Sequence, residues 1–351
     1  MHPTFLRPTF CIILLTKLAI SLSLNDPNRI PKEAKTTIMS TGTNSLHKTI
    51  KEICRKPPSH WVGDGFNVFP VFANKAFTSE LSPFLMFDYA APKEFPPNKS
   101  HDRRGVGQHP HRGFETVTIA FQGEVEHADS SGNRDVIGPG DTQWMTAGRG
   151  IVHEEYHSSE FSVKGGLFEM CQLWLNLPSE HKMTAPKYQP LLDKNVPKVE
   201  LLSAASAGDN NNGVCSVAPL EDGYARIIAG EFRDVKGPAE TFTPVNLWDL
   251  ILLNPASKFE FEIPEGHTLL VFVRRGSVKV QGKMLGLADV AIMNKGGKKL
   301  TLQSLEKDTS VLILSGEPID EPIAARGPFV MNTQNELRQA MRDYQSGTNG
   351  F

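Results

Sequence analysis

His109-Pro-His111 and His153-Glu-Glu155 are the residue groups of this 351-residue chain best suited to chemistry. Along a β-strand successive side chains point to opposite faces, so residues two apart share a face. Two imidazoles from one strand, with an imidazole and a carboxylate from a second, can close on a single ion. Such a nitrogen and oxygen donor set suits a divalent transition metal and leaves two positions for water or substrate if the ion is six-coordinate. The expected ligands are therefore His109, His111, His153 and Glu155. If the strand ran on unbroken, Glu115 would project to the same side as His109 and His111, which makes it a rival carboxylate.

The same region holds a competing signature. Gly150-Ile-Val-His-Glu-Glu-Tyr-His157 contains HEEYH, a match to the H-E-x-x-H zinc protease motif, which works only on a helix. Gly148 and Gly150 precede it, Ser158-Ser159 follow it, and no apolar stripe at helical spacing supports a helix. An extended strand is the expected form, with His153, Glu155 and His157 on one face and Glu154 and Tyr156 on the other.

The elements that must position these residues read as β. Short apolar runs broken by Gly, Pro, Asn and Asp recur from about residue 60, clearest at 117–121, 163–177, 247–253, 269–273 and 310–314. That pattern predicts an all-β sandwich or barrel. One helix is expected, opening on the capping box Thr333-Gln-Asn-Glu336 and ending at Gly347, clasping one barrel. An internal repeat aligns Gly138-Pro-Gly-Asp141 through Gly148 with Gly286-Leu-Ala-Asp289 through Gly296, and Gly123 with Gly276. Carrying the ligand positions into the second half lands on Glu262, Pro264, Thr301 and Gln303, so only the first half is expected to bind metal.

Composition narrows the partners. A formal charge of -2 and no dense Lys/Arg stripe argue against direct nucleic-acid binding. The four cysteines are scattered and form no C-x-x-C pair, which argues against a zinc knuckle or a disulfide framework and for a reducing compartment. The apolar run 10–24 reads as a signal or organelle-targeting segment rather than a membrane span, and Met39 offers a second start. Asn98-Lys-Ser100 is a glycosylation sequon that matters only in a secreted chain. The expected division is a leader at 1–47, a metal-bearing domain at 48–200, a polar linker at 201–213 and a metal-free domain at 214–351 that carries the helix.

Longer motifs add a resemblance. His109-Pro-His-Arg-Gly-Phe-Glu-Thr-Val117, the run Pro139–His153, Gln172-Leu-Trp-Leu-Asn-Leu177, Ser315-Gly-Glu-Pro-Ile319 and Arg326-Gly-Pro-Phe329 resemble the pirin family of the cupin superfamily, from about residue 48 onward. The resemblance implies two tandem cupin jelly-roll barrels with iron in the first, ferrous iron ahead of Mn, Ni, Cu or Zn. It carries ligand roles to His109, His111, His153 and Glu155, whereas the glutamate that other cupins use corresponds to Glu115. It further implies a dioxygenase taking a flavonol such as quercetin and O2, with Glu155 as catalytic base, or alternatively a non-enzymatic metal- and redox-responsive transcriptional coregulator with protein partners. The core would then be cytoplasmic or nuclear, with no membrane association once mature. Phe114, Trp144 and Phe168 are candidates to line an aromatic pocket, although each serves equally as barrel core. A cupin isomerase, a metal-free barrel and a zinc protease are remoter readings.

Overall fold

The computed structural model describes residues 46–98, 103–203 and 222–351. Nearly all of the leader at 1–47, most of the linker at 201–213 and the last two sequon residues lie outside them. No helix among the described residues is long and apolar enough to cross a membrane.

The first barrel is two antiparallel sheets closed on each other. The larger runs Lys187–Leu191, Thr142–Thr146, Phe114–Gln122, Gly166–Asn176, Phe84–Phe95, Phe66–Pro70, His60–Val62, and facing it stand Gly105–His111, Ile151–His157, Val125–Asp129 and Arg134–Ile137. The second barrel repeats the plan. Ile50–Cys54, Val290–Met293, Thr268–Arg275, Thr309–Gly316, Val245–Leu252, Gly223–Ala229 and Lys198–Glu200 form its large sheet, and Lys258–Glu262, Lys299–Ser304, Val278–Val280 and Lys283–Leu285 its small one.

The sequence repeat is visible as one turn built twice. Gly138 donates its N–H to Asp141 Oδ2 at 3.0 Å, and Gly286 donates to Asp289 Oδ2 at 2.9 Å. Gly123 and Gly276 share a left-handed φ of 74° and 72°, the conformation that favours a residue without Cβ.

Outward residues of the two large sheets make the apolar seam between the barrels, where Val117, Ile119, Trp144 and Leu173 join Leu247, Leu270, Phe272 and Leu312. The Phe272 ring packs edge-on to Phe87 and Tyr89, with centroids 4.9 and 5.1 Å away. A polar cluster borders this seam: Tyr89 Oη donates to Glu169 Oε1 at 2.7 Å, and Arg274 Nη1 donates to the same oxygen at 3.1 Å.

Order along the chain and position in space diverge at both ends. Ile50–Cys54, which precedes the first barrel, pairs with Val290–Met293 of the second and so covers a sheet edge that would otherwise stay open. Past the second barrel, the hairpin Ala324–Arg326 with Phe329–Met331 and the helix Gln334–Ser346 return to the first. The capping box at Thr333 and Glu336 and the left-handed Gly347 bound that helix as expected. Both ends of the chain therefore cross to the other barrel, and Lys198–Glu200, ahead of the expected linker, already pairs within the second barrel.

Two expectations need correction. The run 163–177 is not one strand: Ser158 caps a short helix, Ser159–Lys164, which Gly165 ends at φ 68°, and the strand begins at Gly166. In the second barrel Glu262 and Pro264 are exposed, and the inward positions are Phe259, Phe261, Leu300 and Leu302. Thr301 and Gln303 are likewise only partly buried beside the buried Leu300 and Leu302, so all four carried-over positions fall out of phase with the inward face, and a one-residue slip exchanges the faces of a strand. The interior there is hydrocarbon.

Candidate metal site

Ile151–His157 is a strand, and its burial alternates along its whole length: Ile151, His153, Glu155 and His157 turn inward, while Val152, Glu154 and Tyr156 are partly exposed. His153 pairs with His109 across the sheet, and a bulge between His153 and Glu155 shifts the register beyond that point. The ring of His153 lies 4.3 Å from that of His109 and 4.8 Å from that of His111, and the latter two rings are 4.8 Å apart. Ligand-capable nitrogens of all three fall within 4.8 Å of one another.

Which nitrogen faces the centre follows from what the other one touches. His109 Nδ1 sits 2.8 Å from the carbonyl of Gly107, and His111 Nδ1 is 3.4 Å from the carbonyl of Pro328. A carbonyl only accepts, so both Nδ1 atoms carry the proton and Nε2 keeps the lone pair. His153 Nε2 is buried with no hydrogen-bond partner, an arrangement that costs free energy unless something occupies the atom. Burial lowers the pKa of His109 and pushes those of His111 and His153 well below the usual histidine value, aided in the last two by neighbouring imidazoles. Neutral imidazoles are the form that binds a metal. The donor set thus fits a borderline divalent cation.

Glu155 is placed differently. Its carboxylate groups with His153 and His127 rather than with His109 and His111. Oε1 accepts from Gln143 Nε2 at 2.6 Å and Thr118 Oγ1 at 3.3 Å, and Oε2 accepts from Gln172 Nε2 at 2.8 Å. Gln172 in turn accepts from Trp174 Nε1 at 3.2 Å.

Glu115 does not join the cluster. The strand carrying His109 and His111 ends at His111, and Arg112-Gly113 turns the chain into the other sheet. There Thr118 meets Glu155 while Glu115, an odd number of residues away, points to the opposite face and accepts from Thr146 Oγ1 at 2.7 Å. Burial raises its pKa to about 7 against the opposing pull of that bond. Among the aromatic candidates, Phe114 lies at the site, 5.1 Å from His111 and stacked on Trp174 at 4.3 Å. Trp144 belongs to the inter-barrel seam, and Phe168 stacks on His157 at 4.4 Å in the apolar floor.

His127, Asp129, Gln143, Gln172 and Trp174 were not anticipated. His127 faces Glu155 in register, and its Nδ1 is 3.4 Å from His153 Nδ1. A signal existed in His127 and Asp129, and in Gln172 and Trp174, hydrogen-bonding side chains two apart on a strand and so on one face. The C-terminal segment also contributes: Arg112, next to His111, donates to Asp343 Oδ2 at 2.7 Å, and buried Lys182 donates to the carbonyls of Gly113 and Val330 at 2.8 and 3.1 Å.

Facing antiparallel sheets closed into two like barrels make the chain a bicupin. The Pirin family pattern matches residues 65–175, and the Pirin C-terminal cupin domain matches residues 248–350. A Pseudomonas aeruginosa protein provisionally named quercetin 2,3-dioxygenase is 47% identical over 82% of this chain and 93% of its own length. Pirin-1 of Arabidopsis thaliana is 38% identical over 70% of this chain and 79% of its own. The crystal structure of quercetin 2,3-dioxygenase from Acinetobacter baumannii has a TM-score of 0.77 at 47% identity, covering 86% of this chain and 98% of that one. The chain belongs to the pirin family.

Proposed function

We propose that His109, His111 and His153 bind one divalent first-row metal ion through their Nε2 atoms, with Glu155 as the carboxylate of the set, and that the first barrel is a flavonol 2,3-dioxygenase. The observation that carries this reading is the buried, unpartnered Nε2 of His153 beside two imidazoles whose Nδ1 protons are already committed to carbonyls. The names of the two quercetinase-like relatives support the substrate class. Ferrous iron in this site would supply a Lewis acid able to exchange single electrons with dioxygen.

The chain's own groups supply the rest. Glu155 is the base that accepts the proton of the substrate hydroxyl. Gln143 and Gln172 grip its two oxygens and fix its direction, so little reorganisation accompanies the transfer. Trp174, partly exposed and backed by the buried Phe114 ring stacked on it, offers an aromatic face beside His111 for a planar ring. Oxygen uptake with quercetin after anaerobic loading of the purified chain with ferrous iron tests this function. Uptake that His109→Ala abolishes is expected. A fully loaded chain that consumes no oxygen would remove the enzymatic reading and favour the coregulator.

A further inference from the structure

We propose that His127 and Asp129 are positioning residues that decide which nitrogen of His153 faces the ion, an inference resting on the metal reading above but not on the dioxygenase activity. Both stand on Val125–Asp129, where His127 is the cross-strand partner of Glu155 and Asp129 that of His153.

The argument starts at the outer end of the row. Asp129 Oδ1 accepts the backbone N–H of Ser131 at 2.8 Å and of Asn133 at 3.1 Å, and Oδ2 accepts Asn133 Nδ2 at 2.9 Å. An ionised carboxylate only accepts. Its 3.0 Å contact with His127 Nε2 therefore places the proton on that nitrogen. In a neutral imidazole the other nitrogen is then a bare acceptor. That atom, His127 Nδ1, lies 3.4 Å from His153 Nδ1, so His153 turns its proton toward His127 and keeps a lone pair on Nε2. Tyr188, stacked on the His127 ring at 4.8 Å, limits any swing of the intermediary.

His109 and His111 have this choice made for them by backbone carbonyls. His153 has it made by a relay of two side chains, the arrangement that orients metal-binding histidines elsewhere. The same relay explains the second cluster of His127, His153 and Glu155 without a second ion, because the Nδ1 of His153 is already engaged.

The test is the affinity of the full chain for Co(II), measured by competition with a chromophoric chelator, with the melting temperature of the metal-free protein as the control for folding. Asp129→Asn is nearly isosteric. Its carbonyl still accepts the turn amides, and its NH2 now donates to His127 and, once the Asn133 side-chain amide flips, to Asn133 Oδ1; the relay is reversed, so the proton of His153 moves to Nε2. Affinity should fall about 10- to 100-fold with little change in melting. His127→Leu should fall as far, and His127→Gln, whose carbonyl still accepts from His153, should recover part of the loss. Wild-type affinity in Asp129→Asn would overturn the relay. A visible Co(II) spectrum in His127→Leu that reports one fewer imidazole would overturn it as well, by making His127 a ligand. No Co(II) binding by the wild type would instead overturn the metal reading itself.

Discussion

Truncating Asp343 to alanine strands a buried guanidinium next to the histidine strand. Arg112 and Asp343 meet at 2.7 Å with side chains 1% and 5% exposed. The other Arg112 donors reach the carbonyls of Arg149 and Asn349, which carry no net charge to replace the carboxylate. At an effective dielectric of about 20, a pair of unit charges roughly 4 Å apart between charge centres attracts by about 4 kcal/mol. Breaking a buried pair by removing one member costs about 3–5 kcal/mol, in agreement. With an unfolding entropy of about 2.1 cal/mol/K per residue, each kcal/mol moves the melting temperature of a chain this large by about 1–2 °C, so Asp343→Ala should lower it by roughly 3–10 °C. Removing both charges in Arg112→Met with Asp343→Ala should recover much of that loss, because no lone charge remains. The dependence on pH has a definite sign. Burial raises the Asp343 carboxyl, but hydrogen bonds from Arg112, Gln339 and Asn349 outweigh it and hold the pKa below its ordinary value. The stabilisation is therefore present above the unfolded pKa and lost as pH falls through the folded one, and Asp343→Ala should lack this acid-dependent component. Thermal scans at a fixed rate from pH 3 to 7 read both effects. A shift below 2 °C at neutral pH, or a double variant as unstable as the sum of the singles, would refute the reasoning.

Other expectations concern the turn that separates the sheets and the carboxylates behind the site. Glu115→Gln keeps the acceptor for Thr146 but cannot ionise. Because the folded pKa of about 7 lies above the unfolded value, ionisation penalises the fold as pH rises toward 7, so this variant should be more stable by up to about 3 kcal/mol above pH 7, level with wild type near pH 4, and unchanged in metal content. Urea melts across that range check it. Gly113→Ala would put a Cβ 2.0 Å from the carbonyl oxygen of Val330 at a φ of 87°, so its melting temperature and metal affinity should fall together. Gln172→Leu releases one oxygen of Glu155 and the Trp174 indole. Quercetin turnover should fall by more than tenfold while metal content stays within twofold, read by oxygen uptake and elemental analysis.

Much of this architecture was legible because its determinants are local. The turn-forming Gly138–Asp141 and Gly286–Asp289, the capping box at Thr333 and the alternation in Ile151–His157 are each complete within a few residues. The shared face of His109 and His111, and that of His153 and Glu155, was also readable, since residues two apart on a strand must point the same way. What stayed hidden depends on register between distant strands. Nothing near Glu115 announces that the strand breaks at Arg112-Gly113 and reverses its face. His127 becomes relevant only because its strand pairs with Glu155, and Trp144 turns outward to the seam for the same reason of phase. The Pro328 carbonyl behind His111 comes from the far end of the chain, where no spacing rule reaches.

Anomalous scattering from crystals of the chain loaded with a single divalent metal, collected on both sides of that metal's absorption edge, addresses the convergence directly. One peak is expected, about 2.0–2.2 Å from the Nε2 atoms of His109, His111 and His153, with nothing comparable in the second barrel. A peak seated between His127 and Glu155, or bound only at the protein surface, would contradict the account.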